Sequence, residues 1–323
     1  MRYFLSALVL WLSTAAALFA EEARFAFRDG DRVVFLGNTL VEREQASGYW
    51  ELALTLAHPD RKVTFRNLGW SGDTVWCESR GIFDQPQAGY QRTIELVREL
   101  KPTVLILGYG GNEAFAGEAG KVAFAQQYRK LLDDLKPTGA RLVFLGPLPI
   151  EKLGGSYPDP APYNENVKAY AAEVSALAAE RGGTYVALQR PPLTVSGPDG
   201  KPEPTTDNGQ HLDAWGYWAT AEQLRTALCP GAKPIELPSP ALASRSSLPD
   251  SADGAIEKLR REIVWKNELY FHRWRPQNVT YLFLFRKHEQ GNNAVDIPKF
   301  DQLTGDLDTK ISAALKLAAG AGN

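Results

Sequence analysis

Hydroxyl, amide and imidazole side chains occur in four short blocks of this 323-residue chain. The first block presents Thr39 after an apolar run, the second contains Gly72, the third contains Asn112, and the last carries His211, one of four histidines. Acyl transfer needs a hydroxyl nucleophile, a histidine base, and N–H donors for the oxyanion of the transition state. Each block alone has an ordinary explanation, because turns favour glycine and asparagine. Together the four blocks predict a site for acyl transfer.

Two residues ahead of His211 are candidates for the group that orients its ring. Asp207 lies four positions before the histidine, and Asn208 lies three positions before it. A carboxylate orients the imidazole and also stabilises the imidazolium by charge, whereas an asparagine oxygen only orients it. The sequence leaves the choice between Asp207 and Asn208 open.

Short β-branched runs that alternate with helical patterns must position these blocks. The runs predict five strands, at residues 33–36, 63–68, 104–108, 142–145 and 184–187. Helical patterns follow them, among them 163–181 and 214–228. Such β–α units predict an α/β fold, a three-layer α/β/α sandwich with a central parallel five-stranded sheet. Ligands bind outside the carboxyl ends of the strands in such sheets, and three of the four blocks directly follow predicted strands.

In this order the blocks resemble those of the SGNH (GDSL-type) ester hydrolase superfamily, over residues 31 to 228. The matching segments are Gly37-Asn38-Thr39, Gly69-Trp70-Ser71-Gly72-Asp73-Thr74, Gly110-Gly111-Asn112-Glu113 and Asp207 to His211. The resemblance implies a flavodoxin-like fold, with Thr39 in the position of the nucleophile and His211 as general base. It places Gly72 and Asn112 in the oxyanion hole. It also implies hydrolysis of carboxylic esters, with O-acyl (foremost O-acetyl) carbohydrate as the expected substrate and small lipid esters as the second choice.

Thr39 departs from the superfamily pattern, which has serine at this position and aspartate where Asn38 stands. The threonine methyl group restricts the χ1 torsion and crowds the line of attack. Three outcomes follow: a threonine esterase, a site that activates water, or an inactive pseudoenzyme that serves as a carbohydrate- or protein-binding module of the cell envelope. A hydrolase acting on ester bonds is the favoured outcome. Nearby aromatic side chains suit either packing or stacking on sugar rings: Trp70, Trp76, Tyr109 and Trp215.

Composition and motifs limit the classes of partner that we expect for this chain. The chain has 36 Lys and Arg against 38 Asp and Glu, a balance that gives no electrostatic reason to expect nucleic acid. No motif predicts a cofactor or a metal site, so the expected partner is a small-molecule or carbohydrate ester. The oligomeric state is left open. Cys77 and Cys229 are expected either as one disulfide or as two free buried thiols.

Residues 1–20 combine an early arginine, an apolar run and small residues before an acidic pair, a pattern that predicts a signal peptide. We therefore expect export to the periplasm, the cell envelope or the exterior. An uncleaved anchor is the alternative, and no later segment is long and apolar enough to span a bilayer. Behind a hydrolase-like domain at 21–229, we predict a Pro- and Ser-rich linker at 230–253 and a small C-terminal helical and aromatic extension at 254–323. The extension is expected to pack on the domain and reach its cleft, or to form a docking surface.

Overall fold

A central parallel sheet organises the protein. The computed structural model describes residues 25–320 except 245, 248 and 250, so the predicted signal peptide lies outside the described residues. The strands of the sheet are β1 (Arg32–Gly37), β2 (Thr64–Gly69), β3 (Val104–Gly108), β4 (Arg141–Leu145) and β5 (Thr184–Val186). All four pairings are parallel, in the order β2-β1-β3-β4-β5. The predicted five-stranded parallel sheet is confirmed.

Helices cover both faces of this sheet. They are α1 (Thr39–Ser47), α2 (Tyr49–Leu56), α3 (Pro86–Leu100), α4 (Gly117–Leu135), α5 (Ala161–Glu180) and α6 (Ala214–Leu228). Short 3-10 helices lie at Glu78–Arg80, Glu113–Ala116 and Lys136–Thr138.

Strand β1 shows how the residue pattern creates the layers. Successive side chains of a strand point to opposite faces of the sheet. Val33 and Phe35 accordingly lie in one core cluster with residues of α2 and α6, while Val34 and Leu36 lie in a second cluster with residues of α4 and α5. The predicted three-layer α/β/α sandwich is confirmed.

A small hairpin that the sequence analysis did not predict lies between β5 and α6. Its strands are β6 (Thr194–Ser196) and β7 (Pro202–Pro204), which pair in antiparallel fashion. Strands of three residues are too short to show an alternating pattern, and the prolines argue against a strand. The sequence pattern therefore gave no indication of the hairpin.

The C-terminal residues form further helices, two of which contact the edge strand β2 of the sheet. These are α7 (Pro240–Ala243), α8 (Ala252–Trp274), α9 (Val279–Leu282), α10 (Lys287–Gln290) and α11 (Lys299–Gly320), with a 3-10 helix at Gly291–Asp296. Lys266 of α8 is fully buried, and its Nζ donates to Glu51 of α2 at 2.5 Å and to the carbonyl of Phe65 in β2 at 3.1 Å. Arg66 of β2 pairs with Asp308 of α11 at 2.6 Å.

Cys77 and Cys229 are both buried, and neither forms a disulfide. Of the two alternatives that the sequence left open, the structure shows two free thiols. Burial raises the pKa of each to about 12, so both thiols are protonated at neutral pH. Within the described part of the chain, no helix combines the length and the apolar character needed to cross a bilayer.

Candidate active site

Three glycines at the strand ends allow helix α1 to start directly above the sheet. Gly37, Gly69 and Gly108 end β1, β2 and β3 and lie in register across the three strands. A Cβ atom on Gly37 would lie 2.5 Å from the carbonyl oxygen of Gly108, and one on Gly69 would overlap the backbone nitrogen of Glu42. A side chain is excluded at Gly37 by the neighbouring strand β3 and by Val41 of α1, and at Gly69 by the backbone of α1. This packing places Thr39 at the carboxyl edge of the sheet.

Thr39 begins α1, directly after the residue that caps this helix. The Asn38 side-chain oxygen accepts from the N–H of Leu40 at 3.1 Å, and the Thr39 Oγ1 accepts from the N–H of Gly72 at 3.1 Å. Among the described residues, the Thr39 N–H has no hydrogen-bond acceptor. This N–H group lies at the N-terminus of α1, the positive end of the helix dipole, where an anion is stabilised.

The turn that carries Gly72 follows β2. The N–H of Trp70 donates to the carbonyl of Gly37 at 2.9 Å, and the N–H of Asp73 closes the turn on the carbonyl of Trp70 at 3.0 Å. Gly72 has a φ of 76°, a left-handed conformation that favours glycine. Asp73 is fully buried, and its carboxylate accepts from Arg80 Nε at 2.7 Å. The aspartate of this block therefore anchors the turn.

The third block supplies Asn112 and connects to the second. Asn112 Nδ2 donates to the carbonyl of Asp73 at 2.7 Å, and its second N–H stays available because an amide nitrogen carries two hydrogens. The buried carboxylate of Glu113 accepts from the N–H groups of Val75 at 2.9 Å and Gly110 at 2.8 Å. Burial raises the pKa of Glu113 to about 7. Glu113 thus ties the second and third blocks together.

Thr39, Asn112 and His211 line one cavity of about 50 Å³ at the carboxyl edge of the sheet. Its other walls come mainly from the loops that follow β3 and β4, including Gly111, Pro147 and Leu148. Partial burial lowers the pKa of His211; Arg43 lowers it further, and Asp207 opposes the shift. The imidazole is therefore neutral near pH 7, which is the form that a general base requires.

Asp207 and Asn208 each have a contact other than the His211 ring. The Asp207 carboxylate pairs with the guanidinium of Arg43. The Asn208 side-chain oxygen accepts from the N–H groups of Gln210 at 3.1 Å and His211 at 3.0 Å, so it shapes the loop that carries the histidine. In the part of the chain that the structure describes, no group is hydrogen-bonded to the His211 ring. The ring-orienting roles of Asp207 and Asn208 remain predictions.

The aromatic residues near the blocks differ in their availability to a ligand. Tyr109 is buried, and its hydroxyl donates to Asp73 at 3.2 Å. The guanidinium of Arg275 stacks over the indole of Trp70, 3.5 Å from the ring centroid. Trp215 packs edge-on against Trp218 at 5.7 Å. For these three aromatic residues, packing explains the contacts that the structure shows.

Sequence reasoning missed two residues that border the site. Arg43 lies on α1 one helical turn after Thr39, a spacing of four that places both side chains on one face of the helix. That spacing could have identified it. Arg275 comes from the distant C-terminal helices, and nothing in its local sequence indicates that it approaches the second block.

Comparison with known protein families supports the interpretation of these blocks. The model of the GDSL-like lipase/acylhydrolase family matches residues 35–219, more than half of the chain. The chain belongs to this family. The predicted relationship of the chain to the GDSL-type hydrolases is thereby confirmed, and the matched segment of this GDSL protein runs from β1 into α6. None of the curated proteins compared with the chain matches it.

Solved structures share the fold of this GDSL family member. A gut microbial diltiazem-metabolizing enzyme has 14% sequence identity and a TM-score of 0.61, over 90% of this chain and 96% of that chain, so the likeness extends into the C-terminal helices. A catalytic mutant of an acetylxylan esterase from Geobacillus stearothermophilus has 17% identity and a TM-score of 0.46, over 62% and 95%. A GDSL-like lipase from Bacteroides thetaiotaomicron has 20% identity and a TM-score of 0.40, over 61% and 87%.

Proposed function

We propose that this GDSL family member is an exported hydrolase that removes small acyl groups, foremost acetyl, from carbohydrate. One observation carries the proposal: Thr39, Asn112 and His211 line the same cavity at the carboxyl edge of the sheet. The cavity of about 50 Å³ has room for only a few waters, at roughly 10–15 Å³ each, and this size suits an acetyl group better than a long acyl chain. The N-terminal pattern at 1–20 supports export.

The proposed reaction begins with the Thr39 hydroxyl. The neutral His211 ring takes the proton of Oγ1 while that oxygen attacks the carbonyl carbon of the ester. The carbonyl oxygen becomes an oxyanion that accepts from the N–H groups of Thr39 and Gly72 and from the free amide hydrogen of Asn112. In this step the Gly72 N–H exchanges Oγ1 for the oxyanion as its acceptor.

Collapse of the tetrahedral intermediate breaks the bond to the alcohol oxygen. The protonated His211 gives its proton to that leaving oxygen, and the acyl group remains on Thr39. A water molecule, activated by the neutral ring, then attacks the acyl-threonine. The acid product leaves, and the Thr39 hydroxyl and neutral His211 are restored.

A binding module without catalysis is the rival function, and a specific observation favours it. No described group is hydrogen-bonded to the His211 ring, and Asp207, the acid whose charge acts on the pKa of that ring, pairs with Arg43 instead. An unsupported imidazole is a weaker base because nothing fixes its tautomer or stabilises its charged form.

Hydrolysis of p-nitrophenyl acetate separates the two functions. We expect turnover by the wild type, a higher rate for Thr39→Ser, and at most background rates for Thr39→Val and His211→Ala. Valine has the shape of threonine without the hydroxyl, so it tests the nucleophile with little change in packing. If Thr39→Ser is active and the wild type is not, the rest of the site is intact but the natural protein does not catalyse hydrolysis. That result would establish the rival function, a binding module. Replacing acetate by butyrate and octanoate should lower kcat/KM progressively.

A further inference from the structure

The turn that carries Gly72 has little support of its own. Ser71 and Gly72 are both exposed, and the turn is fixed at its ends by the N–H groups of Trp70 and Asp73. A donor to an oxyanion stabilises it only when the N–H is already aimed at the place where charge develops. Other parts of the molecule must therefore hold the middle of the turn.

Glu42 provides one such contact from helix α1. It lies three residues after Thr39, and its carboxylate accepts from the backbone N–H of Ser71, the residue before Gly72. The same carboxylate oxygen also accepts from Arg275 Nη1 at 3.1 Å. Glu42 thus connects the helix of the nucleophile, the turn of the oxyanion donor and the end of α8.

Arg275 makes a second contact with the same turn. Its guanidinium stacks on the indole of Trp70 at 3.5 Å, and Trp274 packs against that indole with ring centroids 5.7 Å apart. The backbone N–H of Arg275 donates to the carbonyl of Phe271 at 2.8 Å, so the residue terminates α8 in a fixed position. The Arg275 side chain therefore contacts the turn directly at the ring of Trp70, and indirectly through the carboxylate of Glu42.

Helix α8 is itself firmly attached to the domain. Lys266 is fully buried against Glu51 and β2, as described above. Arg260 pairs with the buried Glu257 at 2.7 Å and donates to the carbonyl of Ser47, where α1 ends. A helix held at these points provides a rigid base for Arg275.

We propose that Arg275, acting through Glu42 and Trp70, is a positioning residue that holds the Gly72 N–H in place to stabilise the oxyanion. The C-terminal helices are then part of the catalytic apparatus of this protein, and its own GDSL domain is incomplete without them. This inference rests on the proposed esterase function, and it names a structural requirement of that same site.

The test compares Arg275→Ala with Arg273→Ala in the full-length chain. Arg273 is on the same helix two residues earlier and pairs with the exposed Asp301 at 2.9 Å, so it is a matched control. For Arg275→Ala we expect kcat for p-nitrophenyl acetate to fall by about 10- to 100-fold with KM within twofold, because a small misplacement of a donor is costly. Arg273→Ala should keep the wild-type rate. Arg275→Lys retains the charge toward Glu42 but loses the planar stacking, so it should recover part of the loss.

Amide hydrogen exchange over residues 69–74 gives a readout independent of turnover. Loss of Arg275 should accelerate exchange in this segment, and loss of Arg273 should leave it unchanged. Wild-type rates of both turnover and exchange in Arg275→Ala would overturn the inference, as would a lower melting temperature without either effect. If neither the wild type nor Thr39→Ser hydrolyses the ester, the esterase proposal fails, while the exchange data still decide whether Arg275 holds the turn.

Discussion

The guanidinium of Arg43 pairs with the carboxylate of Asp207 at the edge of the cavity that also contains His211. The pair joins helix α1, which begins with Thr39, to the loop that carries the histidine. It also keeps Asp207 occupied, and Arg43 itself contributes to the lowered pKa of His211. The charge state of His211, the proposed base, therefore depends on a residue one helical turn from Thr39, the proposed nucleophile.

Replacing Arg43 should shift the pH dependence of hydrolysis. In Arg43→Gln a positive charge that lowers the His211 pKa is lost and Asp207, which raises it, is released. The ring then keeps its proton to higher pH, so the acid limb of the kcat/KM profile should move upward. Burial raises the pKa of Glu113 to about 7, so this carboxyl group can also affect the profile. The test therefore compares the position of the acid limb between the variants and the wild type. Arg129→Gln, which breaks surface pairs on α4, is the control and should show no shift.

Asn208→Asp places a carboxylate three residues before His211 in the chain. The new carboxylate can still accept from the N–H groups of Gln210 and His211, so the loop should keep its shape. Its negative charge close to the ring should raise the His211 pKa and stabilise the imidazolium. We expect an upward shift of the acid limb, measured by the kcat/KM profile. Asn208→Ala, which loses both contacts, should instead lower the free energy of unfolding by about 1–3 kcal/mol.

Asn112 should be required for the rate more than for binding. Asn112→Ala removes a side-chain donor to the oxyanion, a loss that typically lowers kcat by about 10²- to 10³-fold. Steady-state kinetics with p-nitrophenyl acetate should show that fall in kcat with KM little changed. Asn112 also supports the carbonyl of Asp73, so thermal unfolding must accompany the kinetics. An unchanged kcat in a folded variant would remove Asn112 from the proposed mechanism.

The buried Lys266 should contribute strongly to stability. In Lys266→Met the Glu51 carboxylate loses its cation, and breaking a buried pair in this way costs about 3–5 kcal/mol. Burial already raises the pKa of Glu51, so the carboxyl group should take up a proton in the variant, and the loss should be smaller in acid. Lys310→Met, which breaks an exposed pair with Glu262, should change the free energy of unfolding by about 0.5 kcal/mol or less. Urea unfolding of both variants at two pH values makes the comparison.

The sheet and the order of the blocks were predictable because both depend on short-range patterns. Short apolar runs between helical patterns define the strands, and the residues that follow each strand lie at the same edge. The ion pairs that join the blocks were not predictable. Arg43 and Asp207 are 164 residues apart, and Glu42 and Arg275 are 233 apart. No spacing rule connects such residues, since their contact depends on how whole helices pack.

Helix α8 is a second example of a feature that the sequence could predict only in part. The sequence predicts a helical and aromatic extension at 254–323, and α8 is observed at Ala252–Trp274. A fully buried lysine within that helix contradicts the usual preference of lysine for the surface. Only the packed structure explains it, because Glu51 and the carbonyl of Phe65 both accept from the ammonium group.

The contact between Lys266 and the carbonyl of Phe65 has a consequence for solubility. Strand β2 is an edge strand, and its outer side would offer unpaired backbone groups to the strands of other molecules. Lys266 and Arg66 both donate to the carbonyl of Phe65, so cations occupy an acceptor that a foreign strand would use. A protein shortened to the matched GDSL segment would lose Lys266 and expose this edge. Aggregation of that fragment, rather than a merely slower enzyme, is the outcome to expect.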